Sequence, residues 1–332
     1  MTGNTPVLRI GVLGAARITP HSLIKPAAGN PEVVLSALAA RDPQRARAFA
    51  AKHGIERVHE NYEALLADPQ IDAIYNPLPN NLHGRLTRAA LDAGKHVLCE
   101  KPFTANAEEA RRIAALAAGT DRVVMEAFHY RYHPMTLRIE EIIASGELGQ
   151  LLRVEAVLCF PVPRPSDIRY DYSLAGGAMM DAGCYTVHML RTFGGSTPEV
   201  VAAQPTLRSP VIDRAMTAQY RFPAGHLGEI RCSLWSAKML EVSARIVGEH
   251  GEIRALNPLM PQYPHRLRVR SRQGKRVEHF SHKASYAYQL DAFADSVLRG
   301  APVRTTAQDA IENMTVIDAT YRAAGLPLRE PS

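Results

Sequence analysis

Strand-like and helix-like segments alternate from Val7 to Ala127, a rhythm that commits the first part of this chain to a parallel sheet with helices on its faces. Val7-Leu-Arg-Ile-Gly-Val-Leu13 is a short apolar run, Gly14-Ala-Ala-Arg-Ile18 turns the chain, and a helix-like stretch follows from about Thr19. The pattern then repeats. Residues 33–40, 71–76, 96–99 and 122–127 read as strands, and 46–52, 62–67, 86–93 and 107–117 as helices. Ligands of a doubly wound sheet sit beyond the carboxyl ends of its strands, where Pro79, Asn80, His83 and the triplet Glu100-Lys101-Pro102 fall.

A strand, a tight turn and a helix make a unit that cradles phosphate on backbone N–H groups. Gly14, Ala15 and Ala16 are small enough for a pyrophosphate to approach, and Arg17 and Ile18 complete the turn. The match to G-x-G-x-x-G is poor, because Ala16 and Thr19 stand where the second and third glycines would be. At the end of the second strand Ala40-Arg41 leaves space and positive charge for a 2′-phosphate, whereas an acidic residue there would grip both ribose hydroxyls. The pair favours NADP over NAD. The competing reading makes Arg41 a surface residue that opens the loop.

From about Arg131 the rhythm changes. A helix over 134–145 precedes longer strand-like segments at 152–160, 217–222, 227–233 and 241–248, and turns such as Pro223-Ala-Gly-His226 imply hairpins and a largely antiparallel sheet. The proline-rich stretch 161–171, with Asp167, Arg169 and Tyr170, reads as a loop on the ligand side. The fold class is therefore α/β: a doubly wound parallel sheet in residues 1–128, then an α/β unit with a large, mostly antiparallel open sheet in residues 129–332.

Composition narrows the function classes. At 332 residues and 46% hydrophobic the chain can bury two cores. No window approaches the roughly 18 apolar residues of a membrane span, and Met1-Thr-Gly-Asn-Thr-Pro6 lacks the basic and apolar regions of an export signal. Cys99, Cys159, Cys184 and Cys232 lie far apart, as reduced thiols of a cytoplasmic protein would. The net charge of +6 is spread along the chain, with one dense stretch in which Arg266, Arg268, Arg270 and Arg272 alternate with Leu267, Val269 and Ser271. That is a strand with one solvated face, or a contact for an anion or a second subunit, rather than a nucleic-acid surface.

The chemistry concentrates in two places. In Gly176-Gly-Ala-Met-Met-Asp-Ala-Gly-Cys-Tyr-Thr-Val-His188 the residues Asp181, Tyr185 and His188 are spaced i, i+4, i+7, so a helix carries a carboxylate, a phenol and an imidazole on one face. The bland alternative for Tyr185 is a half-buried tyrosine with a satisfied hydroxyl. A phenol of pKa about 10 becomes a base near neutrality only beside an ammonium, which lowers it by roughly 1–3 units. Lys101 is that candidate, unless it is a solvated lysine after a strand. Its extended setting before Pro102 aims it across the crevice, and so tight a turn suits a cis Lys101–Pro102 bond. Asp181 then orients a substrate hydroxyl. His129 and His133, four apart and preceded by Glu126, raise the question of zinc, but no third ligand stands at a standard spacing and the predicted metal content is none.

Gly14-Ala-Ala-Arg-Ile18, Ala40-Arg-Asp42, Pro79-Asn-Asn-Leu-His83, Glu100-Lys-Pro102, Met125-Glu-Ala-Phe128 and Gly176–Tyr185 together resemble the Gfo/Idh/MocA oxidoreductase family over essentially the whole chain. The resemblance is strongest to the branch holding dimeric dihydrodiol dehydrogenase, NADP-dependent D-xylose dehydrogenase and glucose-fructose oxidoreductase. Tyr185 marks the branch, since inositol dehydrogenase-like members carry histidine there and usually aspartate where this chain has His188. The resemblance implies a Rossmann domain, a second domain whose open sheet supports a homodimer or higher homo-oligomer, and Lys101 with Tyr185 as the catalytic pair. It also implies a small-molecule sugar, polyol or diol as substrate, with Arg169 and His188 as candidate contacts beside Tyr185.

Three readings compete. The first is an NADP-dependent dehydrogenase or reductase. The second is a sugar oxidoreductase that never releases its cofactor, or a relative that uses NAD for transient oxidation before elimination. The third is a sensor that binds NADP without turnover, against which the intact Lys101 and Tyr185 argue.

Overall fold

The structure is a computed structural model that describes residues 6–332. Residues 1–5, most of the segment read above for an export signal, lie outside the described residues. Six strands form a parallel sheet: β1 Leu8–Leu13, β2 Val33–Ala39, β3 Arg57–His59, β4 Ala73–Asn76, β5 His96–Cys99 and β6 Val124–Glu126. Their order is β3-β2-β1-β4-β5-β6, the doubly wound order with its switch point between β1 and β4. The intervening helices are α1 Lys25–Ala28, α2 Pro43–His53, α3 Tyr62–Ala67, α4 Asn80–Asp92 and α5 Ala107–Ala118. Asp42, Asn61 and Asn106 start α2, α3 and α5 by accepting from backbone N–H groups of the first turn.

Register decides what meets at the carboxyl edge. Asn76 pairs with Cys99, and Cys99 with Glu126, so the segments after β4, β5 and β6 emerge side by side. The helix expected from Thr19 begins as a π-helical turn, Pro20–Ile24, before α1. Pro20 and Pro26 bring no N–H to an α ladder. Ser22 bonds back to the Ile18 carbonyl at 3.1 Å and meets the Tyr75 hydroxyl at 2.6 Å.

The second sheet has eight strands: β7 Leu151–Cys159, β8 Glu199–Ser209, β9 Ile212–Arg221, β10 Leu227–Ser233, β11 Glu241–Gly248, β12 Gly251–Leu256, β13 Arg266–Ser271 and β14 Gly274–Glu278. The order is β14-β13-β12-β11-β7-β10-β9-β8, antiparallel except where β10 lies parallel to β7. Of the remaining helices, α6 Pro134–Ala144, α7 Cys184–Gly194, α8 Ser285–Arg299 and α9 Ala307–Ala323, both α7 and α9 pack on this sheet. Along β13 Arg266, Arg268 and Arg270 are exposed while Leu267 and Val269 are buried, the half-solvated strand that the alternation predicts.

Chain and layer part company at α8. It buries Leu290, Phe293 and Ala294 in one core with Leu8, Ile10 and Val12 of β1, so the chain returns across the partition at residue 128. The tail ties down the other layer. Arg329, fully buried, donates to Asp213 at 2.9 Å, to the Gly176 carbonyl at 2.6 Å and to the Tyr321 hydroxyl at 3.1 Å. No helix among the described residues is long and apolar enough to cross a membrane.

Candidate active site

Beyond the carboxyl edge of the first sheet lies a crevice of about 930 Å³. Its floor is the turn from Gly14 to Ile18, where the N–H groups of Ala15, Ala16, Arg17 and Ile18 find no backbone acceptor among the described residues. Gly14 has φ +79°, and a Cβ there would sit 2.8 Å from Leu78. The left-handed backbone and the close approach both demand glycine. Ala40 and Arg41 line the crevice as the sequence predicts, but Tyr62, Arg45 and Arg85 join them. Burial raises the pKa of the Tyr62 phenol while Arg41, Arg85 and Arg45, which line the same crevice, draw it the other way. The neighbouring Asp42 spends an oxygen on capping α2. Such a turn with a cluster of arginines at the far end fits a dinucleotide that carries a 2′-phosphate. Arg45 lies four residues beyond Arg41 in the first turn of α2, a spacing that brings both to one helix end, and this was the signal available for it.

Other residues expected at the cofactor have structural duties. Pro79 lines the crevice, whereas the Asn80 amide donates to the Ala175 carbonyl at 2.9 Å. His83, 1% exposed, stands between the Pro102 and Leu78 carbonyls at 2.7 Å each. Glu100 is buried and accepts from the Tyr75 hydroxyl at 2.6 Å; burial raises its pKa. His83 and Glu100 thus hold the walls of the crevice from behind. The Lys101–Pro102 bond is cis.

Lys101 and Tyr185 do come together. The ammonium lies 4.9 Å from the centre of the Tyr185 ring and donates to the carboxylate and the carbonyl of Asp181, each at 2.9 Å. The other Asp181 oxygen accepts from Arg169 at 2.7 Å. Burial works against this carboxylate, but Lys101 and Arg169 outweigh it and draw its pKa down to about 2. Both oxygens are therefore engaged by cations, a duty that the expected orienting of a substrate hydroxyl did not include.

The tyrosine itself departs from expectation. Burial raises the Tyr185 phenol well above its ordinary pKa, with Tyr286 and Glu100 adding to the effect, and Lys101 points to Asp181 instead of the phenol oxygen. Burial therefore outweighs the lowering predicted from the lysine. No described residue hydrogen-bonds the Tyr185 hydroxyl, while Phe128 and His129 pack edge-on to its ring at 5.3 and 5.7 Å. The phenol is positioned and left free.

The single polar face expected of 181, 185 and 188 breaks at a π-helical turn, Met179–Gly183, that precedes α7. Asp181 stands in that wider turn, ahead of the α-helix that carries Tyr185 and His188. His188, 1% exposed, is stacked on Phe128 at 3.9 Å and bonded to the Tyr130 hydroxyl at 2.6 Å and to Asp309 at 2.8 Å. That leaves no free nitrogen for a substrate, a correction to its expected role. The reason is long-range: α9 supplies Asp309 to the far side of α7. His129 and His133 are not one turn apart on a helix either. His129 meets the Ser285 hydroxyl at 2.8 Å, and His133 caps α6. Among the described residues no three His, Cys, Asp or Glu side chains are grouped to hold a metal.

Known proteins resemble this chain over nearly its whole length. A family model described as an oxidoreductase family with NAD-binding Rossmann fold matches residues 8–128, and the Gfo/Idh/MocA C-terminal domain matches residues 136–254. A D-xylose 1-dehydrogenase (NADP(+)) of Haloferax volcanii is 37% identical over 321 residues, 96% of this chain and 97% of the relative. The chain belongs to the Gfo/Idh/MocA oxidoreductase family. A dTDP-3,4-didehydro-2,6-dideoxy-alpha-D-glucose 3-reductase of Streptomyces antibioticus is 34% identical over 268 residues, 80% of each protein. Among solved structures KijD10, a 3-ketoreductase from Actinomadura kijaniata in complex with NADP and TDP-benzene, has a TM-score of 0.87. It is 27% identical and the match covers 96% of this chain and 98% of that one. The family resemblance and the fold class read from the sequence are both borne out.

Proposed function

We propose that this family member is an NADP-dependent oxidoreductase that interconverts a hydroxyl and a carbonyl on a sugar, polyol or diol. The observation that carries the reading is a free phenol on Tyr185 within 4.9 Å, ring centre to ammonium, of a lysine anchored at 2.9 Å by Asp181. Its Arg169 partner lines the arginine-rich crevice, so the pair stands beside the place where a dinucleotide fits. The names of the Haloferax and Streptomyces relatives, an NADP-linked dehydrogenase and a sugar 3-reductase, support the reaction class.

The crevice residues would hold the dinucleotide, whose nicotinamide would give up hydride as NADPH and take it up as NADP+. Tyr185, kept neutral by burial, donates its proton to a carbonyl oxygen in the reducing direction and regains it in the oxidising one. Lys101 holds positive charge beside the same oxygen, and Asp181 with Arg169 fixes that charge in place. Assays of NADP reduction across a panel of aldoses, polyols and cyclic diols test the reading. Turnover on none of them, in either direction, sinks it.

Cofactor choice is separately testable. The parent is expected to bind NADP at least ten-fold more tightly than NAD, about 1.4 kcal/mol, and Arg41→Ala to erase most of that gap. Equal affinity of the parent for the two cofactors would remove the role of Arg41.

We also infer that two copies pair through the open face of the eight-stranded sheet. One cross-strand row runs Arg268, Arg254, Arg245, Glu155, Glu229, positive at one end and negative at the other. A two-fold axis would set each end of the row against its opposite. Reversal of the positive end, as in Arg254→Glu with Arg268→Glu, is expected to leave a monomer by light scattering; an unchanged mass excludes this face.

A further inference from the structure

Residues 161–171 form a strap from the second layer that crosses to the cofactor crevice. Arg164, Ser166 and Ile168 line the crevice opposite the Gly14 turn, and so does Arg169. At its end the strap is sewn to the turn that launches α7: Gly176 donates to the Asp171 carbonyl at 2.9 Å and Gly177 to the Arg169 carbonyl at 2.7 Å. A Cβ on Gly176 would lie 2.7 Å from each of those carbonyl oxygens, so glycine is what lets the strap close on the turn. Tyr170 fastens the other side by donating to the Val162 carbonyl at 3.0 Å.

Arg169 is where strap and reacting groups share an atom set. Its guanidinium spans Asp167 at 3.1 Å within the strap and Asp181 at 2.7 Å, and Asp181 is the residue that holds Lys101. Two cations, Lys101 and Arg169, and two carboxylates, Asp181 and Asp167, thus form one chain of charges that runs from the strap to the side of Tyr185. We propose that Arg169 is a positioning residue that locks the strap over NADP by way of Asp181, so that cofactor retention and the placement of Lys101 depend on one carboxylate. This rests on the function proposed above. It puts a latch in place of the substrate contact expected from the sequence, and predicts that release of the cofactor is slowed by the strap.

Because the latch acts through Asp181, loss of either partner opens it and loss of both opens it no further. The test is a double-mutant cycle on the rate of NADPH release, followed by the change in nicotinamide fluorescence when excess NADP displaces it. Arg169→Met and Asp181→Asn are each expected to speed release about ten-fold, and the double variant also about ten-fold, where independent sites would give about a hundred-fold. Arg169→Lys keeps one charged bond to Asp181 and should stay within about three-fold of the parent, a rescue that simple loosening of the strap would not show. If the methionine variant fails to fold, Arg169→Gln completes the same cycle. A multiplicative double variant, or release at the parental rate from Arg169→Met, overturns the latch. Failure of the parent to bind NADPH overturns both the latch and the proposed function, whereas full turnover by Tyr185→Phe overturns only the acid-base assignment.

Discussion

Tyr185→Phe is expected to lower turnover by roughly 10²–10⁴-fold, the usual worth of a positioned acid or base, with NADP affinity unchanged. Phenylalanine keeps the ring that packs against Phe128, His129 and Tyr130, so the change isolates the hydroxyl. That hydroxyl is the free polar group beside Lys101. Lys101→Met should cost a comparable factor and carry a pH signature. Removing an ammonium disfavours phenolate, so the Tyr185 pKa, already raised by burial, rises further. In the oxidising direction, where phenolate must accept the proton, residual activity should then need a higher pH to reach half its plateau. A midpoint that stays put, or moves down, would show that the lysine charge does not reach the phenol. Near-parental activity of Tyr185→Phe on every substrate the parent accepts would remove tyrosine from the proton path altogether.

The parts legible in the sequence are those fixed by neighbours along the chain. Gly14 announces itself through the strand before it and the small residues after it, and the loop 161–171 through its prolines. Lys101 and Tyr185 were legible as a pair through the family motifs that carry them. What the sequence hid depends on contacts across many residues. Asp309 lies 121 positions from His188, and Ser285 lies 156 from His129, so nothing local says that either histidine is engaged. The π-helical turn before α7 likewise has no periodic signature of its own, and it is where Asp181 stands, outside the α-helix that carries Tyr185 and His188. β8 hides for a third reason. It contains Pro205 and exposes much of its length, which only an edge strand tolerates, and the edge is a property of the whole sheet. Tyr185 is the most instructive case, because its burial, a property of the whole fold, reversed the direction of a pKa argument that counted only the neighbouring ammonium.

Arg329→Met is expected to destabilise the protein by about 3–5 kcal/mol, the cost of stranding one member of a buried ion pair. Both Arg329 and Asp213 are fully buried and 2.9 Å apart. The network around them is closed: Arg329 also donates to the Gly176 and Pro327 carbonyls, and Asp213 accepts from the Met179 N–H at 2.6 Å and from the Tyr321 hydroxyl at 3.1 Å. Removing the guanidinium takes the charge partner from a buried carboxylate and a donor from each of two carbonyls. The loss should also reach the active site, because a Cβ on Gly177 would sit 2.7 Å from Arg329 while Gly176 touches the strap on the other side. The Gly176-Gly177 turn is thus wedged between the C-terminal tail and residues 161–171, and it delivers Asp181 and Tyr185. Urea unfolding should show a lower midpoint with unchanged slope. At concentrations of urea where the variant is still folded, its turnover should fall while the KM for substrate holds, as expected when the reacting groups are displaced rather than the binding surface. Arg329→Met combined with Asp213→Asn removes both charges and should recover part of the stability, since the stranded carboxylate is gone. A single substitution that costs under about 1 kcal/mol would mean that the tail is an ornament of the fold and that the turn is held by its own backbone bonds.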